Sequence, residues 1–172
     1  MIIIKSSTKK LIVSALLAAL DVLFARVLAI NTPIMKLGLG FAAVAVCAMA
    51  YGPAWASLIA ALGDLLGSVL FPTGAYFPPF TLSAALTGAI FGFALYNRKA
   101  SFKNAFIAGA GNTVMVSYLI NSFLISWLSG TEYTALLATR AVQLAVMLPV
   151  QCGVIYFLGK SEYVQKTVKN FS

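Results

Sequence analysis

The sequence predicts an all-α membrane protein with six transmembrane helices, short loops and a single domain over residues 1–172. Hydrophobic residues make up 61% of the chain and charged residues 9%, whereas a soluble domain has about 45–50% apolar and about 25% charged residues. Six apolar segments are long enough, or nearly so, to cross a bilayer core, which takes about 20 residues of helix. Little chain remains between these segments, so a separate soluble domain is not expected.

Prolines and glycines set the boundaries of the predicted helices. Breaks are expected at Asn31-Thr32-Pro33, at Gly52-Pro53, across the proline-rich stretch 72–79, at the basic turn 97–99 and at Ser129-Gly130. The resulting helices span about residues 9–30, 36–51, 53–71, 80–96, 102–128 and 132–159. In the last of them we expect Thr131 to cap the helix and Glu132 to lie in its first turn.

The distribution of basic residues predicts the orientation in the membrane. The net charge is +8, but the basic residues lie at segment ends, which indicates a topology signal rather than nucleic-acid binding. Six helices place both termini on one side, and that side carries Lys5, Lys9, Lys10, Arg98, Lys99, Lys103, Lys160, Lys166 and Lys169. The opposite loops, near 31–36, 71–80 and 129–132, carry a single basic residue, Lys36. We therefore expect a multi-pass protein of a bacterial cell membrane with both termini cytoplasmic.

Charged residues inside the predicted helices indicate a binding pocket. Arg26, Asp64 and Arg140 lie four to eight residues from the outer ends of three helices, which corresponds to a depth of about 6–12 Å. Buried charges are costly and are typical of functional sites. One interpretation is a structural ion pair between Asp64 and an arginine. The other is a pocket open to the outside whose second arginine binds a ligand carboxylate. Asp21 lies five residues before Arg26 and is not expected on the same helix face.

Aromatic and amide side chains accompany these charges. Phe71, Tyr76, Phe77 and Phe80 surround the expected mouth, where they are either an ordinary interfacial belt or a surface for stacking a flat ring. The amides Asn112, Asn121 and Gln143 lie inside the fifth and sixth helices, and Gln143 follows Arg140 by three residues on the same face. Such amides either bond helices together or contact a ligand.

The sequence lacks the residues of common catalytic sites. It contains no histidine and no phosphate-binding motif of the G-x-x-x-x-G-K-[ST] type. Cys47 and Cys152 lie within apolar runs and are expected to be buried small hydrophobes. We therefore expect neither an enzyme, a cofactor nor a metal site. Uphill transport would need an ion gradient or an ATPase partner, and six helices without an evident inverted repeat match a self-sufficient permease poorly.

The first helix carries two pairs of small residues, Ser14 with Ala18 and Ala15 with Ala19. Each pair has the small-xxx-small spacing that lets another helix approach closely. The approaching helix is either a partner protein's or another helix of this chain.

These features resemble the substrate-binding S components of energy-coupling factor (ECF) vitamin transporters, and most closely the folate-specific members. The resemblance covers nearly the whole chain. It is most specific in Tyr51-Gly52-Pro53, in Gly63-Asp64-Leu65-Leu66-Gly67 and in the segment from Gly74 to Ala84. Pro79 departs from the usual glycine after Tyr-Phe-Pro. Ala15 and Ala19 match the family's Ala-x-x-x-Ala motif.

The resemblance implies a protein that captures a vitamin outside the cell and delivers it through a module of one transmembrane coupling subunit and two ATPase subunits. In the family, the alanine motif contacts the coupling subunit. Folate fits the expected pocket because it combines a flat pterin with two glutamate carboxylates. Cationic thiamine and neutral riboflavin fit surplus arginines less well, whereas pantothenate and biotin each carry one carboxylate and remain alternatives, as does a small self-sufficient permease.

Overall fold

The structure, a computed structural model, describes residues 6–31, 36–72, 76–162 and 164–166. The predicted break at Thr32-Pro33 and the basic residues Lys5 and Lys169 lie outside these ranges. Most of the described chain is helical. The helices are α1 (Ser6–Val22), α2 (Gly40–Tyr51), α3 (Pro53–Leu70), α4 (Pro78–Leu95), α5 (Phe102–Ala110), α6 (Asn121–Ser129) and α7 (Tyr133–Lys160).

Two π-helical segments extend these helices. Leu23–Val27 continues α1, and Gly111–Ile120 joins α5 to α6. The two-residue strands β1 (Ile30–Asn31) and β2 (Lys36–Leu37) pair antiparallel after the first of these segments. The described residues thus form six continuous helical rods, which confirms the all-helical class.

Four of the rods are long and apolar enough to cross a membrane: α3, α4, the rod Phe102–Ser129 and α7. The helix α2 is apolar but has only 12 residues. Large apolar side chains cover the outside of the bundle, including Val69, Leu82, Phe93 and Phe157, each at least 69% exposed. An exterior of this kind suits a hydrocarbon environment.

Three predicted boundaries were placed wrongly, all at the end of the bundle that was predicted to face outward. The first rod ends at Val27 rather than Ile30, and α2 begins at Gly40 rather than Lys36, because residues of the β1–β2 ladder lie between them. The helix α4 begins at Pro78 rather than Phe80. Proline is tolerated in a first helical turn, where its missing N–H has no intrahelical partner to lose.

Thr131 does not cap the last helix, contrary to the prediction. Gly130 has a left-handed φ of 68°, and the chain turns there so that Ser126 Oγ donates to the Thr131 carbonyl (2.7 Å). Glu132 is therefore the residue that precedes α7, and its carboxylate accepts a hydrogen bond from Thr134 Oγ1 (2.8 Å).

Small residues hold the centre of the bundle together. The helix α2 is buried along most of its length, and Cys47 is completely inaccessible. Cys152 is also buried, so both cysteines are core residues as predicted.

The helices α3 and α4 approach each other closely. On α4, Gly88 and Gly92 lie directly against the backbone of Ala56 and Pro53 in α3, where a Cβ atom would collide. This contact holds the first half of α3 against the second half of α4. It thereby orients the other ends of the two helices, which line a cavity between the helices.

Candidate ligand-binding site

A cavity of about 780 Å³ opens among the helices at the end of the bundle where α1 and α3 finish and α4 and α7 begin. Its volume is in the range of small-molecule binding sites, which is about 300–1,000 Å³. The helix ends that flank the three connections predicted to lie outside the cell are at this same end. Of the eight residues predicted to bind substrate, seven line the cavity: Arg26, Asp64, Tyr76, Phe77, Asn112, Arg140 and Gln143.

One wall of the cavity carries an ion pair. Arg26 Nη2 lies 3.4 Å from Asp64 Oδ1, and the two side chains are 10% and 24% exposed. Thr81 Oγ1 donates to the other carboxylate oxygen, Asp64 Oδ2, at 2.9 Å. The hydroxyl of Tyr76 in turn lies 3.0 Å from Thr81 Oγ1. The structure therefore settles which arginine pairs with Asp64, a point that the sequence left open.

Asp21 also lines this wall, which was not predicted. The carboxylate of Asp21 lies against Gly40 of α2 and Gly63 of α3, and a Cβ on either glycine would collide with it. The prediction failed because it assumed regular α-helix beyond Asp21. Instead the chain becomes π-helical, with Leu28 N bonded to Leu23 O over five residues (2.9 Å). That wider turn brings Arg26 to the same cavity as Asp21.

Arg140, on α7, lies in a different environment. Its Nη1 donates to the Ser117 carbonyl (3.3 Å) and to Ser122 Oγ (3.2 Å). Among the described residues, no carboxylate lies within salt-bridge distance of this guanidinium. The described part of the chain thus offers this positive charge on the second wall only neutral acceptors.

The floor of the cavity is a buried polar network. Thr87 Oγ1 donates to Asn112 Oδ1 (2.8 Å), and Asn112 Nδ2 donates to Gln151 Oε1 (3.1 Å). Thr113 Oγ1 donates to the same Gln151 oxygen (3.0 Å). Asn112 therefore bonds helices together, which was one of the two interpretations of the amides; the other was contact with a ligand. Gln151 was missed, although it is an amide in an apolar run and so gives the same signal that identified Gln143.

Aromatic rings form the rim. The ring of Phe77 packs edge-on against Phe80 and Trp127, with centroid distances of 5.7 Å in both cases. Phe77, Phe80 and Tyr76 line the cavity, whereas Phe71 does not and is 42% exposed. The adjoining residues 73–75 lie outside the described part of the chain.

Both π-helical segments contribute to the cavity lining. The first supplies Arg26, and the second supplies Asn112, Thr113 and Ser117. Such segments are rare and occur frequently at functional sites, because the extra residue per turn re-aims side chains. Hydrophobic periodicity does not reveal them.

The two small-residue pairs of α1 have separate environments. Ser14 and Ala18 are buried inside the bundle, where Ser14 Oγ accepts a hydrogen bond from Trp55 Nε1 (2.6 Å). Ala15 and Ala19 are exposed on the outside of the bundle. The first pair thus packs within the chain, and the second remains available to a partner.

Comparison with known proteins identifies the family. A model of the family described as "ECF-type riboflavin transporter, S component" matches residues 5–158. The chain is an S component of an ECF-type transporter. It is accordingly a membrane transport protein and not an enzyme, as the sequence predicted.

Similar proteins include two folate transporters. This S component is 40% identical over 163 residues to the folate transporter FolT of Clostridium novyi (strain NT), with 92% of this chain and 95% of that protein covered. It is 27% identical over 171 residues to FolT of Leuconostoc mesenteroides, with 96% of this chain and 92% of that protein covered. A crystal structure described as FolT bound with folic acid matches with a TM-score of 0.84 at 30% identity, covering 89% of this chain and 95% of that one.

Proposed function

We propose that this S component binds folate in the 780 Å³ cavity and delivers it to an ATPase-driven module. The observation that carries the proposal is Arg140, a guanidinium in the cavity wall with no carboxylate partner among the described residues. Arg140 is partly buried, and a cation of this kind favours an anionic ligand, since arginine binds carboxylates through two parallel hydrogen bonds. The glutamate carboxylates of folate supply that chemistry.

The opposite wall is suited to the pterin. Asp64 is held in place by Arg26 and Thr81, so its carboxylate can accept hydrogen bonds from the amino and ring N–H groups of a pterin with little loss of side-chain entropy. Phe77 and Phe80 provide apolar ring surfaces at the rim, where a flat heterocycle stacks favourably. The ligand would then lie across the cavity, with its pterin on the Asp64 side and its glutamate on the Arg140 side.

Riboflavin is the second candidate, because the matching family model carries its name. Riboflavin also has a flat ring but no carboxylate, so it would leave Arg140 without an anionic partner. The similarity to proteins named as folate transporters and the position of Arg140 both favour folate.

Ligand identification tests this proposal directly. The purified protein from cells grown with folate and riboflavin would be denatured and its released small molecules identified by mass spectrometry. We expect folate or a reduced folate in near-stoichiometric amount. Recovery of riboflavin, with no measurable folate binding in a direct titration, would end the folate assignment and leave the S-component family standing.

We further propose that the chain is a single six-span domain of a bacterial cell membrane, with both termini cytoplasmic and the cavity open to the outside. The basic residues support this orientation, because those described lie mainly at the end of the bundle opposite the cavity. Its partners would be a transmembrane coupling subunit and two ATPase subunits, with Ala15 and Ala19 on the docking face. Their exposure on α1 supports that role.

Bulky substitutions on α1 test the docking face. Ala15→Trp or Ala19→Trp should abolish ATP-driven folate uptake by the assembled transporter while folate binding by the isolated chain is retained, because neither residue lines the cavity. Leu82→Trp is the matched control, since Leu82 is 72% exposed on α4. Equal loss of uptake in the control, or loss of folate binding in the α1 variants, would contradict the assignment.

A further inference from the structure

A second cavity lies at the opposite end of the bundle, where α4, α5 and α7 meet. It has a volume of about 440 Å³ and is lined by the turn between α4 and α5 and by the end of α7. Three basic residues, Arg98, Lys99 and Lys160, line it, and none of its described lining residues is acidic. This cavity does not share a lining residue with the proposed folate site.

Among the described residues, the positive charges of this cavity have no acidic partners. No carboxylate of the described residues lies within salt-bridge distance of Arg98, Lys99 or Lys160. The nearest acid in the sequence, Glu162, is not part of the lining. Lys160 instead lies over the ring of Tyr156, with Nζ 4.8 Å from the centroid, which orients the ammonium group without neutralising it.

Backbone groups add to the attraction for an anion. The rod Phe102–Ser129 begins at this cavity, and Ser101, the residue before it, makes no side-chain capping bond. The first N–H groups of a helix have no intrahelical acceptor, and they bind anions such as phosphate. Asn104 Nδ2 donates to the Lys99 carbonyl at 3.0 Å, so the basic turn is fixed next to this helix start.

The surroundings of the cavity are apolar. Its lining includes Leu95 and Ile155. Beside it, Phe102 packs edge-on against Tyr156, which packs against Phe157, with ring centroids 6.0 Å apart in both pairs. Phe102 and Phe157 are 60% and 75% exposed on the outside of the bundle. A ligand that suits both the basic lining and the apolar surroundings has an anionic head and a hydrocarbon tail.

We infer that this cavity binds the phosphate headgroup of an anionic phospholipid, with the acyl chains lying against Phe102 and Phe157. Basic cavities between membrane helices are known to accept such headgroups. A soluble phosphate would use the same charges but would gain nothing from the exposed rings. The site would tie the basic end of the S component to anionic lipid independently of its vitamin ligand.

Native mass spectrometry of the purified protein, titrated with phosphatidylglycerol or phosphatidylcholine, tests this inference. We expect phosphatidylglycerol to be retained preferentially. The variant Arg98→Gln/Lys99→Gln/Lys160→Gln should lose roughly 100-fold in affinity for it, since each basic group near an anionic headgroup contributes about fivefold. The control Lys9→Gln/Lys103→Gln/Lys166→Gln removes the same charge from residues that do not line the cavity, and it should lose distinctly less affinity than the cavity variant. Retained folate binding shows that both variants are folded.

Four outcomes would overturn the inference. The first is equal retention of the two lipids by the unmodified protein, and the second is an equal loss in the control variant, which would indicate diffuse electrostatic attraction. The third is displacement of phosphatidylglycerol by glycerol 3-phosphate at equal concentration, which would make the ligand a soluble phosphate. The fourth is a cavity variant that keeps its lipid but no longer associates with the coupling subunit, which would assign the basic residues to a protein partner.

Discussion

Arg26 and Arg140 line the same cavity but have different partners. Arg26 is 3.4 Å from the Asp64 carboxylate, so its charge is balanced within the protein. Arg140 is bonded only to a carbonyl and a hydroxyl among the described residues. Two arginines of one cavity are therefore suited to different roles: Arg26 holds the Asp64 carboxylate in place, and Arg140 is proposed to bind a carboxylate that arrives with a ligand.

The largest effect is expected for Arg140→Ala. Loss of a charge-assisted pair with the ligand should cost about 2–5 kcal/mol, or roughly 30- to 5,000-fold in folate affinity. Arg140→Lys should recover only part of this loss, because lysine lacks the planar guanidinium. Calorimetric titration measures the folate affinity of both variants. Arg98→Ala is the charge-matched control, because Arg98 does not line the proposed folate cavity. An unchanged affinity in Arg140→Ala would show that the ligand charge is bound elsewhere.

A smaller effect is expected for Asp64→Asn, on the other wall. This change removes the proposed charged acceptor for the pterin and the partner of Arg26, and a hydrogen bond to a charged group contributes about 1.5–3 kcal/mol. The loss should appear equally for folate and for a pterin that lacks the aminobenzoyl-glutamate tail. Arg140→Ala should leave the binding of that shortened pterin unchanged. A variant Asp64→Asn that binds the shortened pterin normally would place the pterin elsewhere.

Gly63→Ala should have an intermediate to small effect on stability and on folate affinity. The added Cβ would collide with the Asp21 carboxylate, and overpacking of this kind costs about 1–3 kcal/mol. Gly153→Ala is the matched control, since a Cβ there meets nothing within 4 Å and alanine is the better helix former by about 1 kcal/mol. Thermal unfolding and folate titration should show losses in the first variant only. Equal behaviour of the two variants would mean that Asp21 moves aside without consequence.

The smallest effect is expected for Tyr76→Phe. It removes the hydroxyl that lies 3.0 Å from Thr81 Oγ1 at an exposed part of the rim. The affinity should fall by less than about 1 kcal/mol, because a neutral and solvated hydrogen bond contributes little net free energy. A loss as large as that of Asp64→Asn would mean that the hydroxyl contacts the ligand itself.

The sequence predicted which residue types line the cavity better than it predicted their partners. Arg26, Asp64 and Arg140 could be recognised because a charge inside an apolar helix is costly and therefore conspicuous. Whether an arginine is paired depends on contacts between residues 38 positions apart, as for Arg26 and Asp64, and one-dimensional spacing does not contain that information. Asp21 was excluded because regular helical geometry was assumed where a π-helical turn occurs. Phe71 was included by proximity alone, and it lies outside the cavity.

The role of Arg140 is tested most directly with folate and its diamide, in which both glutamate carboxylates are amides. The affinity of each ligand is measured for the unmodified protein and for Arg140→Ala. The unmodified protein should prefer folate strongly, and the preference should nearly vanish in the variant, because Arg140 is proposed to bind the carboxylates. A variant that weakens both ligands by the same factor, with the preference for folate intact, would contradict the assignment of Arg140.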